Sequence, residues 1–117
     1  TESLTGLIRE SGLDAELQVT GQPRPLSPEA TQALFRVVQE GLTNIRKHAR
    51  ARTARVELRY ETAAIHLTVL DDGQGASGSG SGYGLAGLRE RLEAIGGHLH
   101  AGNRPDGGYR LAAELPR

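Results

Sequence analysis

The stretch Leu34 to Arg50, LFRVVQEGLTNIRKHAR, restricts the fold more than any other part of the chain. At 3.6 residues per turn, Leu34, Phe35, Val38, Leu42, Ile45 and Ala49 share one apolar arc, widened by Val37 and Gly41, so the segment reads as a helix laid on a core. Glu40, Asn44 and His48 recur every four residues and drift about 40° per step. The file starts outside the arc and crosses its edge. A carboxylate, an amide and an imidazole where a helix meets the core suggest a pocket floor, with Lys47 as a nearby point charge. A surface helix carrying scattered polar residues gives the same pattern, and these residues alone leave both readings open.

A chain of 117 residues suits one domain with a self-sufficient core. Without cysteine it has neither a disulfide framework nor a thiolate metal site. Its longest strongly apolar run, Ala63 to Leu70, is too short to span a bilayer, and no secretory leader is expected at its start. Fourteen basic and fourteen acidic residues cancel, and one Phe with three Tyr cannot build a base-stacking platform, so nucleic acid and direct membrane contact are not expected. The basic cluster Arg46 to Arg55 is either a helix end complementing the helix dipole or a wall facing phosphates.

Taken in order, TESLTGLIRESG is a short helix with Leu4, Leu7 and Ile8 on one side, stopped by Gly12. Leu13 to Thr20 alternates as a half-buried strand with Leu13, Ala15, Leu17 and Val19 inward. Three prolines make Gly21 to Pro28 a rigid connector; Ser27 caps the long helix and Pro28 opens it, running to about Arg50. Thr53 to Tyr60 and Ile65 to Leu70 alternate and pair as an antiparallel hairpin, with His66 out of phase on the sheet surface.

From Asp71 to Gly84, DDGQGASGSGSGYG packs six glycines and three serines into a loop that either moves or lets backbone approach a ligand. Leu85, Leu88, Leu92 and Ile95 then restore helical spacing, and Gly96-Gly97 ends it. His98 to Ala101 and Tyr109 to Leu115 close the chain as strands around the turn Asn103 to Gly108. About five strands and three helices result, with the helices on one face of a mixed sheet.

Phosphate-loop logic fails here. GxxxxGK[ST] is absent, and although Gly73, Gly75 and Gly78 satisfy G-x-G-x-x-G after a strand, the third glycine opens no helix and HLHAGN ends on no acidic residue. Instead QEGLTNIRKHA, DDGQG and GYGLAGLRER, with a glycine pair and a strand closing on Leu115-Pro116, resemble the ATP-binding catalytic domain of bacterial two-component sensor histidine kinases. The likeness covers about residues 4 to 116 and is nearest to the nitrate-sensor-like, short-lid subfamily, within the superfamily of gyrase, chaperone and mismatch-repair ATPases.

That resemblance implies a single Bergerat-type ATP-binding domain over residues 1–117: an α/β (α+β) two-layer sandwich with a mixed, mostly antiparallel sheet. Asp71 then matches the carboxylate that accepts the adenine amine, and Gly73 and Gly75 the glycines passing close to the base. Asn44 matches the Mg²⁺ ligand, Lys47 and His48 the basic end of the same box. Gly82, Tyr83, Gly84 and Leu85 match the second glycine box, whose backbone N–H groups and helix N-terminus receive phosphates. Glu40, where ATPase relatives activate water, is implied to orient or deprotonate an acceptor imidazole.

The implied activity is donation of the γ-phosphoryl group of ATP·Mg²⁺ to a histidine on the kinase's own helical dimerisation domain, which supplies a response regulator. Anti-sigma-factor-type serine kinases and non-catalytic nucleotide-sensing modules share the fold and are the alternatives. The expected location is the cytoplasm, within a parent kinase often anchored in a membrane. Two departures stand out: Asp72 where many relatives carry Asn, and Gly107-Gly108-Tyr109 where they often carry Gly-Thr. None of His48, His66, His98 or His100 sits in the helical context of a phospho-acceptor.

Overall fold

The computed structural model describes residues 2–48, 53–71, 82–103 and 108–116. Chain order is α1 (Glu2–Ser11), β1 (Asp14–Gly21), α2 (Pro28–His48), β2 (Thr53–Tyr60), β3 (Ala64–Asp71), α3 (Gly82–Ala94), β4 (His98–Asn103) and β5 (Tyr109–Pro116). The strands form one sheet in the order β1-β2-β3-β5-β4, with β1 parallel to β2 and every other pair antiparallel. The parallel pair follows from α2, which carries the chain back between β1 and β2 as a crossover.

Alternation dictates the layers. Along β3 every second residue is buried, Ile65, Leu67, Val69 and Asp71, and on β5 Tyr109, Leu111, Ala113 and Leu115 match them. These faces meet Leu34, Val37, Val38, Leu42 and Ile45 of α2 and Leu85, Leu88 and Leu92 of α3 in one core. The expected five strands and three helices, packed as a two-layer α/β sandwich, are therefore what the chain forms. The opposite sheet face is polar, carrying Glu16, Arg55, Glu57, Arg59, His66 and Glu114. Arg55 bridges Glu16 at 3.1 Å and Glu57 at 3.4 Å, and His66 Nε2 lies 2.8 Å from Glu61 Oε1, all at partly exposed positions where such pairs contribute little.

The helix ends follow their local chemistry. Ser27 Oγ accepts the Ala30 N–H at 3.1 Å, the expected N-cap of α2. At the far end of α3 the Gly97 N–H donates to the Leu92 carbonyl at 2.7 Å and the Gly96 N–H to that of Glu93 at 3.1 Å, a pair of bonds that terminates the helix at the expected glycines. Arg24 anchors the proline-rich connector by donating to the Glu61 carbonyl at 2.8 Å while lying over the Tyr60 ring.

Two expectations change and a third is not tested. α3 starts at Gly82, not Leu85, so the second glycine box is the helix's first turn rather than the end of a loop; a first turn tolerates glycine because its N–H groups have no intrahelical acceptor anyway. β1 spans Asp14–Gly21, and Val19, expected inward, is 38 % exposed, because β1 is an edge strand whose outer half the helical layer does not cover. α2 is described to His48; the expected end at Arg50 lies outside the described residues.

Candidate nucleotide site

One end of the sandwich gathers the polar residues singled out above. Ala30, Ile65 and Ile95 line one cavity of about 430 Å³, so the start of α2, the start of β3 and the end of α3 lie together. Toward the other end Gly41 abuts Val69, where an added Cβ would lie 2.9 Å from Val69 Cγ1. Thus α2 runs with β3, while α3 runs against both. The last turns of α2, the end of β3 and the N-terminus of α3 converge at the end away from that cavity.

There the core changes character. Among the described residues two amide or charged side chains are buried, Asn44 at 6 % exposure and Asp71 at 2 %, and the Tyr109 hydroxyl is buried as well. Asn44 lies one turn beyond Gly41, and Asp71 two residues beyond Val69 on the same strand face. Apolar neighbours on both elements dictate this placement: Leu42 and Ile45 seat α2, while Leu67 and Val69 seat β3, so the polar residues in phase with them go inward too. Asn44 Nδ2 has no hydrogen-bond partner among the described residues. Such a donor costs about 1–3 kcal/mol in an interior and is expected where something outside the chain meets it.

Asp71 is held from behind by β5. Leu70 pairs with Arg110, so the register brings Tyr109, itself 6 % exposed, level with Asp71. Gly108, at φ +94°, presses against it so closely that an added Cβ would lie 2.1 Å from the Asp71 carbonyl oxygen. Neither Gly108 nor Tyr109 emerged from the sequence as a site residue, because their place beside Asp71 depends on β5 inserting next to β3. The signals were a glycine pair before an alternating strand and, through the family resemblance, their standing where relatives often carry Gly-Thr.

The remaining expected residues fall as follows. Glu40 is half-buried, one turn before Asn44 on α2. Lys47 and His48 belong to the last turn of α2, with side chains outside the description. Gly82, Tyr83, Gly84 and Leu85 supply the first N–H groups of α3, and Leu85 is buried against the core. Gly73 and Gly75, with Asp72, lie outside the described residues. Among the described residues no cluster of His, Cys, Asp or Glu could itself hold a metal ion. The cation expected at Asn44 would therefore need most of its oxygens from elsewhere, as Mg²⁺ bound through phosphates and water does.

Residues 29–117 match the family described as Histidine kinase-, DNA gyrase B-, and HSP90-like ATPase. The chain is 33 % identical to the sensor histidine kinase YxjM of Bacillus subtilis over 97 % of its length and 29 % of that protein's. It is likewise 33 % identical to the histidine-protein kinase/phosphatase UhpB of Salmonella typhimurium, covering 24 % of it. The chain thus spans less than a third of these relatives. In fold it resembles the catalytic domain of histidine kinase ThkA with a TM-score of 0.77 at 15 % identity, covering 98 % of this chain and 90 % of that one. Among the described residues no helix is long and apolar enough to cross a membrane. From the α2 file through the end of β3 to the closing strand, the chain belongs to the histidine kinase-, DNA gyrase B- and HSP90-like ATPase family.

Proposed function

We propose that this chain binds ATP with Mg²⁺ and presents the γ-phosphoryl group to a histidine on a helical dimerisation domain of the same kinase, from which a response regulator is supplied. The observation that carries this reading is the pair of buried polar side chains, Asn44 and Asp71, at the one end of the core where the N-terminus of α3 also arrives.

Each group has one job. The Asp71 carboxylate accepts the exocyclic amine of adenine; guanine presents an oxygen at that place and is repelled. Gly73 and Gly75 let backbone run close to the base. The N–H groups of Gly82, Tyr83, Gly84 and Leu85 have no acceptor inside α3 and receive the phosphate chain, helped by Lys47 and His48. Asn44 fits the metal end: its amide offers an oxygen, the ligand type a hard cation prefers, and an N–H₂ whose protons are unspent. Bound there, Mg²⁺ would neutralise charge on the phosphates. With the nucleotide so held, an imidazole nitrogen forms the new P–N bond as the bond from the γ-phosphorus to its bridging oxygen breaks, and ADP departs. Glu40, one turn before Asn44, orients that imidazole. This domain works on the cytoplasmic side, within a parent kinase of a kind often anchored in a membrane.

Calorimetric titration with ATP and GTP, each with and without Mg²⁺, tests the reading. Magnesium-dependent binding that favours ATP at least a hundredfold is expected, since a carboxylate facing the guanine oxygen leaves two acceptors opposed. Equal binding of the two nucleotides would refute the base assignment. For Glu40, the expected outcome of Glu40→Ala is unchanged ATP affinity with phosphotransfer to the acceptor domain lowered about 10²–10⁴-fold. Undiminished transfer would remove Glu40 from the mechanism.

A further inference from the structure

The two strands that flank Asp71 set side chains of very different size beside it. On one side Asp71 pairs with Ala54 of β2, which is buried. On the other, the pairing of Leu70 with Arg110 puts Tyr109 level with it, and both residues belong to the buried face of the sheet. Inward residues that stand opposite each other in an antiparallel pair have Cβ atoms about 4.5–5.5 Å apart, so a methyl group borders the carboxylate on one flank and a phenol ring on the other. The open space follows that asymmetry. A cavity of about 460 Å³ reaches Asp71 past Thr53 and Ala54, along the first residues of β1 and β2, and Tyr109 is not part of its lining. The ring is buried to its hydroxyl. Because β5 is paired on both sides, with β3 at Arg110 and with β4 at Tyr109 itself, its first residue is held in place.

We infer that Tyr109 sets the size limit of the base pocket: its ring closes the β5 side of Asp71, so the site takes the bare amine of ATP and turns away adenine nucleotides that carry a bulky group on that amine. The inference rests on the reading of Asp71 as the acceptor of the adenine amine. A base whose body lies in the space beside Ala54, and whose amine donates to Asp71, points that amine edge at β5. There the ring leaves room for a hydrogen and none for a large substituent. Exclusion by a fixed side chain is a repulsive element, and it selects without adding any attraction for ATP. Hydrogen bonding does not enter the choice, because a singly substituted amine keeps one N–H for the carboxylate.

Competition titration of the chain with ATP and with ATP carrying a benzyl group on its exocyclic amine is the test. The native chain is expected to prefer ATP roughly a hundredfold or more. Tyr109→Thr removes the ring and keeps a hydroxyl on a β-branched side chain suited to a strand. It should bind the benzyl analogue roughly tenfold or more tightly than the native chain does, while ATP, having lost its wall, binds more weakly. Tyr109→Phe keeps the ring and should go on excluding the analogue. Leu111→Ala opens the core two residues further along the same face of β5 and should lower the melting temperature without admitting it, which separates a local hole from general loosening. If Tyr109→Thr does not fold, Tyr109→Leu, smaller than tyrosine and apolar, replaces it with the same expectation. Equal binding of ATP and the analogue by the native chain, continued exclusion after the ring is removed, or equal admission by Leu111→Ala overturns the inference. If these occur while ATP binding still depends on Asp71, the base site stands and only the role of Tyr109 falls; if Asp71→Asn also leaves ATP binding as it was, both readings fall.

Discussion

Asp71→Asn is expected to lower ATP affinity roughly 10- to 150-fold, the range that corresponds to losing a hydrogen bond of about 1.5–3 kcal/mol to a charged acceptor. The carboxylate is 2 % exposed and ends a strand fixed on one side by β2 and on the other by β5, so it cannot swing aside to let water substitute. An amide in the same place keeps the shape but can turn an N–H₂ toward the base, where it meets another donor. The same change should bring GTP closer to ATP, because the guanine oxygen gains a donor and loses a repelling charge. Calorimetry with both nucleotides decides. If ATP binds as before and selectivity survives, the base lies elsewhere.

Gly108→Ala should cost about 3 kcal/mol or more of folding stability. Two penalties add. At φ +94° any side chain strains the backbone, and the new Cβ would sit 2.1 Å from a backbone oxygen of Asp71, an atom the sheet does not let retreat. For a chain of this size, about 4 °C of melting temperature is lost per kcal/mol, so thermal unfolding followed by circular dichroism should show a fall of about 10 °C or more. As the clash lies against Asp71, the surviving folded protein should also bind ATP more weakly. Gly102, exposed and with nothing within 4 Å of the point an added Cβ would occupy, is the natural control. Equal melting of Gly108→Ala and Gly102→Ala would mean that β5 enters the sheet by a looser path.

What could be read from the residues follows a physical division. Alternation in Val56, Leu58, Ile65, Leu67 and Val69 reports burial on one face of a strand covered along its length, and there expectation and structure coincide. Alternation in β1 has the same form, yet Val19 is exposed, since period two says which way a residue points and not whether anything covers it. Helix starts are similarly local: Ser27 and Pro28 name the beginning of α2, whereas Ser81 before Gly82 is one of three serines in a glycine-rich run and does not stand out as a cap, and apolar spacing placed α3 a turn late. Asn44 and Asp71 could be singled out one by one. Their sharing one end of the core was implied only by the family resemblance and not by residue patterns, because it depends on α2 running with β3, a matter of tertiary packing. The pressure of Gly108 and Tyr109 on Asp71 comes from residues far along the chain, brought close by strand order alone.

The contact between Gly41 and Val69 carries one more consequence, a matter of lever arms. Asn44 is three residues past this contact on a helix, about 4.5 Å along its axis, and Asp71 is two past it on a strand, about 6.6 Å. If α2 rocks by about 5° against the sheet with this contact as fulcrum, Asn44 shifts by roughly 0.4 Å, a small fraction of a hydrogen-bond length. The spacing between the two buried polar groups is thus gauged by a single close approach beside them, and motions at the distant end of either element reach it strongly reduced.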